Sequence, residues 1–69
     1  MARNIEILYR CSALGRSYRI IKCANLFHIQ VTYDRKYHQD IAVCSSFYDA
    51  RYALALHIYR DVLISTTYA

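Results

Sequence analysis

The chain has 69 residues, enough for one domain near the lower size at which a single core holds without disulfides, metal or a partner. It is 57% hydrophobic, with eight Tyr, two Phe, one Gly and no Pro, which is too apolar for a disordered tail and too poor in turn formers for a loop-rich scaffold. The net charge of +4 raises nucleic acid as a partner, but the cations are scattered and Glu6, Asp34, Asp40, Asp49 and Asp61 lie among them, so the charge serves solubility or an acidic protein partner equally well.

In chain order, Ile5, Ile7, Tyr9 and Cys11 alternate with Glu6, Leu8 and Arg10, the period-two pattern of a half-buried strand over about 4 to 11. Ser12, Ala13, Leu14 and Gly15 follow, and Gly15 alone in the chain takes positive φ at no cost, so a turn belongs there. A second strand covers about 17 to 23. Ala24 and Asn25 then mark a tight hairpin, since Asn tolerates the left-handed region. The third strand, about 26 to 33, points Phe27, Ile29, Val31 and Tyr33 one way and His28, Gln30 and Thr32 the other. Asp34 to Gln39 is the most polar stretch and reads as an exposed loop, and Ile41 to Cys44 gives a short fourth strand at about 40 to 44.

Ser46 stands at an N-cap position with acidic Asp49 three residues on, which predicts a helix over about 47 to 63 and a frayed tail at 65 to 69. The fold expected is α+β, a three- to four-stranded antiparallel meander packed by one C-terminal helix, in a single domain spanning 1 to 69. Phe47, Ala50, Leu54 and Ile58, with Ala53 allowing close approach, form the stripe that should dock on Ile7, Ile20, Ile29, Val31 and Val43. A second stripe, Tyr48, Tyr52, Ala55, Leu56, Tyr59 and Leu63, is rich in tyrosine. Those rings either widen the core contact with their hydroxyls in water or form a partner surface, with Arg51 and Arg60 beside them.

Chemistry is hard to place in this sequence. A single glycine rules out the glycine-rich phosphate loops and the nucleophile elbow. Cys11, Cys23 and Cys44 are odd in number and sit in apolar stretches, as reduced core thiols would. Cys23, His28, His38 and Cys44 are spread over four segments, without the close spacing of a metal site. His38 and Asp40 could pair as acid and base on the polar loop, while His57 reads as a boundary residue of the helix. No enzyme activity, cofactor or metal is expected. No run reaches the roughly 18 apolar residues of a membrane span, and the opening MARNIEILYR lacks the apolar core of a secretory signal, so a cytoplasmic location without membrane contact is the expectation.

The stretch from Ile41 to Ala55, a short strand running into a Ser cap and an Ala-rich helix, resembles the strand-then-helix joint of small phage-encoded inhibitors of host machinery, anti-CRISPR proteins included. The same joint is similar to the end of double-stranded RNA-binding domains, where Phe47 and Tyr48 replace phosphate-contacting lysines and Arg51 alone matches. Through Ser46, Phe47, Ala50, Tyr52 and Ala53 it also resembles the three-strand-plus-helix DNA-binding domain of AP2 and integrase type, without that family's glycines and tryptophan.

The first resemblance implies a non-enzymatic binding protein that inhibits or remodels a larger host protein or ribonucleoprotein complex, in the host cytoplasm if phage-encoded. Its expected contact residues are Tyr48, Arg51, Tyr52, Tyr59 and Arg60, with a homodimer through the helix as a further expectation. The alternative is a small basic DNA- or RNA-binding domain using a sheet face with Arg10, Arg19, Lys22, Arg35 and Lys36.

Overall fold

The structure, a computed structural model, describes residues 5–32 and 37–67, with side chains through Ile64. Two tight turns set the sheet. Strand β1 (Glu6–Ala13) turns into β2 (Arg16–Cys23) through Leu14 and Gly15, and β2 turns into β3 (Leu26–Thr32) through Ala24 and Asn25. All four turn residues have positive φ, at 56°, 73°, 52° and 65° in chain order. Two successive left-handed residues make the hairpin turn whose twist matches that of the flanking strands. Leu14 and Ala24 adopt this geometry against the steric preference of their Cβ atoms.

Strand β4 (Gln39–Cys44) completes an antiparallel sheet in the order β1-β2-β3-β4, and helix α1 (Phe47–Thr67) lies over β3 and β4. The Ser46 hydroxyl accepts from the Asp49 amide at 3.1 Å and the Ser46 carbonyl from the Ala50 amide at 3.1 Å, so the cap stands where the sequence puts it. The helix continues about one turn past its expected end, through Ile64, Ser65, Thr66 and Thr67, because propensity is a weak constraint once a helix is anchored. Tyr33, expected in the third strand, and the expected loop from Asp34 to Lys36 lie outside the described residues.

Tyr18, Ile20, Ile29, Val31, Ala50 and Leu54 are buried together, with Tyr9, Cys11, Ala13, Phe27, Ile41, Ala42, Cys44, Phe47, Ala53 and Ile58 packed around them. The docking stripe of the helix is therefore the expected one. Two of its expected strand partners are not there: Ile7 and Val43 are exposed on the opposite face. A bulge in β1 skips Leu8, so that Ile7 pairs with Ile21 while Tyr9 pairs with Ile20. Another in β4 skips Ile41, setting Val43 against His28 and Ala42 against Ile29. Each bulge inserts one residue and reverses which alternate side chains face the helix.

At its far end the helix is clamped to β2. Asp61 Oδ2 accepts from Arg16 at 2.9 Å and from the Tyr18 hydroxyl at 3.1 Å. Burial, with the Asp61 carboxylate as a lesser cause, holds the Tyr18 phenol above its ordinary pKa. The contact fixes the helix in angle as well as position.

Replacing Ala24-Asn25 by Asn-Gly, the pair that best fits the left-handed geometry, should stabilise the fold by about 1 kcal/mol and raise the Tm by about 4–8 °C in thermal unfolding. Leu54→Ala, which empties a fully enclosed position, should cost about 2–5 kcal/mol in denaturant unfolding. An unchanged midpoint would mean that the helix docks through another face.

Candidate functional site

Among the described residues, docking of the helix leaves the outer side of α1 and the face of the sheet away from it. On the helix, Tyr48, Tyr52 and Tyr59 are 85%, 70% and 63% exposed, and Leu56 and Leu63 lie among them at nearly half exposure. Because α1 is docked through Ala50, Leu54 and Ile58, helical spacing carries this stripe to the side away from the sheet. The rings do not widen the core. Phe47, Ala50, Ala53, Leu54 and Ile58 meet the strands, and the three tyrosines stand outside that contact.

The two arginines beside the stripe are placed differently. The Arg51 guanidinium lies 4.3 Å above the centre of the Tyr9 ring and 6.0 Å from that of Phe47, a cation–π stack joining the helix to β1. It borders a groove of about 420 Å³ between helix and β1, lined by Tyr9, Cys11, Leu54, Ile58 and Tyr59. The Cys11 thiol in this groove has a raised pKa, chiefly through burial. Arg60 is exposed on the other border, next to His57, Leu56 and Leu63.

On the uncovered sheet face the strand register builds rows. Ile7, Ile21, His28 and Val43 form one; Arg10, Arg19, Gln30 and Asp40 the next; Ser12, Ser17 and Thr32 the third. Arg19 donates through Nε to Gln30 Oε1 at 2.7 Å, and Gln30 donates through Nε2 to Asp40 Oδ1 at 2.7 Å. His28 reaches the other Asp40 oxygen from Nδ1 at 3.1 Å. The Gln30 hydrogen bond, with His28 as a lesser cause, holds the Asp40 carboxyl below its ordinary pKa against the opposing effect of burial.

Beside this ladder Arg10, Ser12, Ser17, Arg19, Thr32 and His38 line an open basin of about 510 Å³. The Thr32 hydroxyl is hydrogen-bonded to His38 Nδ1, and Asp40, which lies in β4 and not in the loop, is partnered by His28 and Gln30, so the expected His38–Asp40 pair does not form. Of the five cations expected on one sheet face, Arg10 and Arg19 are neighbours there. Lys22 belongs to a helix-side row with Glu6 and Phe27, its ammonium 5.9 Å from the Phe27 ring centre. Arg35 and Lys36 lie outside the described residues.

Sequence reading missed the Asp61 clamp and the ladder through Gln30 and His28. The ladder was within reach. A two-residue turn at Leu14-Gly15 and another at Ala24-Asn25 dictate that Arg10, Arg19 and Gln30 stand side by side. Among the described residues no group of three metal-ligating side chains converges, Cys11, Cys23 and Cys44 are free thiols, and no helix is long and apolar enough to cross a membrane. No described protein family, curated protein or solved structure matches the chain.

Asp40 has a depressed folded-state pKa, so its contribution to stability is present above the ordinary carboxylate pKa of about 4 and is lost as pH falls through the lower folded value. Asp40→Asn should therefore flatten the acid limb of the stability-against-pH curve and leave its neutral slope unchanged, as urea unfolding across the acid range would read. An acid limb identical to that of the parent protein would remove Asp40 from the fold's acid response.

Proposed function

We propose that the protein is a non-enzymatic binding protein, acting stoichiometrically by contact to inhibit or remodel a larger protein or ribonucleoprotein complex in the manner of small phage-encoded inhibitors. The observation that carries this reading is the exposed set Tyr48, Tyr52 and Tyr59 with Leu56 and Leu63 on the rigid outer side of α1. Tyrosine supplies large contact area at low entropic cost, and surfaces centred on it are where binding energy concentrates. Arg60 completes the patch at its edge. Arg51 supports it from below by tying the helix to Tyr9. The proposed setting is the cytoplasm, of the host cell if the chain is phage-encoded.

One observation favours a second reading, a nucleic-acid contact through the sheet: Arg10 and Arg19 stand together over a basin lined by hydroxyls. Arg19 is held by Gln30, which is held in turn by Asp40, and Lys22 faces the helix side, so among the described residues Arg10 and Arg19 are the two expected cations that share this face.

Tyr52→Ala and Tyr59→Ala should each weaken binding to a partner captured from lysate and identified by mass spectrometry by about 1–3 kcal/mol, roughly 5- to 150-fold, with the circular dichroism spectrum unchanged. Binding that survives both changes, falls steeply with salt and is lost in Arg10→Ala would move the interface to the sheet and favour the nucleic-acid reading.

A further inference from the structure

The outer stripe of α1 has an internal symmetry. If a second helix is laid antiparallel across the midpoint between Ala55 and Leu56, Tyr48 falls opposite Leu63, Tyr52 opposite Tyr59, and Ala55 opposite Leu56. Every member of the stripe then meets another member, and the smallest faces a large one. Such self-complementarity is what a twofold interface requires, since the same patch must serve both copies. The spacing of Tyr48, Tyr52, Ala55 and Tyr59, alternately four and three residues, is also the seam of helices that pack at a shallow angle.

Charge agrees with the same register. Asp49 and Arg60 lie about three turns apart on one border of the stripe. In an antiparallel pair like borders meet, so Asp49 of each copy comes within about 3 Å of axial rise of Arg60 in the other, forming two symmetry-related ion pairs. Arg51, on the opposite border, is stacked over Tyr9. A parallel pair would set Ala55 against Ala55 between tyrosine layers and leave a hole. The exposed side chains amount to on the order of 600 Å² per copy, about 1,200 Å² in total, which reaches the lower end of stable interfaces.

We infer that the outer face of α1 is closed in the free protein by a second copy of the chain, the two helices antiparallel with Tyr52 against Tyr59 and Asp49 paired with Arg60. The inference rests on the reading of this face as a contact surface and names its first occupant. A larger target using the same tyrosines displaces one copy.

Sedimentation equilibrium of the full chain, from micromolar to millimolar concentration, should give twice the 8.1 kDa chain mass. Asp49→Arg and Arg60→Asp should each weaken self-association about tenfold, by turning two attractive pairs into repulsive ones. An equimolar mixture of the two variants should recover the dimer, because each unlike pair is then restored across the interface. Circular dichroism of each variant alone, which should match the parent, shows that the helix is intact before the two are mixed. A monomer at every concentration, or a mixture no more associated than its components, overturns the inference. A monomer whose target capture still depends on Tyr52 and Tyr59 leaves the contact-surface reading standing, whereas a dimer whose target capture ignores them removes the tyrosines from target binding and keeps the dimer.

Discussion

Ala50 and Leu54 seated among Ile20, Ile29 and Val31 form the contact on which the rest of the molecule depends. In a chain of this size only a few side chains become fully enclosed, and apart from Ile21 on the opposite face the buried apolar ones belong to the cluster that the helix closes. A small residue at the centre of that contact lets the helix approach the sheet closely. The same docking fixes, by helical geometry alone, which residues turn outward. Tyr48, Tyr52 and Tyr59 are exposed because Ala50, Leu54 and Ile58 are not.

The features that were legible in the sequence were those governed by local chemistry. Gly15 and Asn25 mark both hairpins, Ser46 marks the start of the helix, and a two-residue turn carries the register outward from itself. The two bulges were not legible, for a definite reason. Ile7, Leu8 and Tyr9 are all apolar, and so are Ile41, Ala42 and Val43, so alternation in polarity cannot fix the phase of either strand. The phase was decided by tertiary packing, which placed Ile7 and Val43 outside and brought Tyr9, Ile41 and Ala42 under the helix.

The same division runs through the candidate site. The tyrosine stripe follows from helical periodicity once the docking stripe is known, and both were visible in the sequence. The Arg51 stack on Tyr9 joins residues far apart in the chain and depends on where the helix crosses beside β1, which no local pattern fixes. Lys22 failed to join Arg10 and Arg19 through a simpler cause. Residues of one strand separated by an odd number of positions face opposite ways, so Arg19 and Lys22 could share a face only if a bulge lay between them, and the bulge lies in the neighbouring strand instead.

The two remaining surfaces differ in how far they are already satisfied. On the open face of the sheet Arg19, Gln30, Asp40 and His28 are tied to one another, and Thr32 to His38, so a partner there would have to break existing hydrogen bonds to form new ones. On the outer helix face the exposed groups are mostly ring and aliphatic carbon, for which water is the poorer environment and association gains free energy without a compensating loss. Tyrosine limits the cost of this exposure, since its hydroxyl stays hydrated. Here Phe47, Leu54 and Ile58 pack inward with Ala50 and Ala53, while Tyr48, Tyr52 and Tyr59 stand in water, so the aromatic face of the helix lies outside the core that holds the fold together.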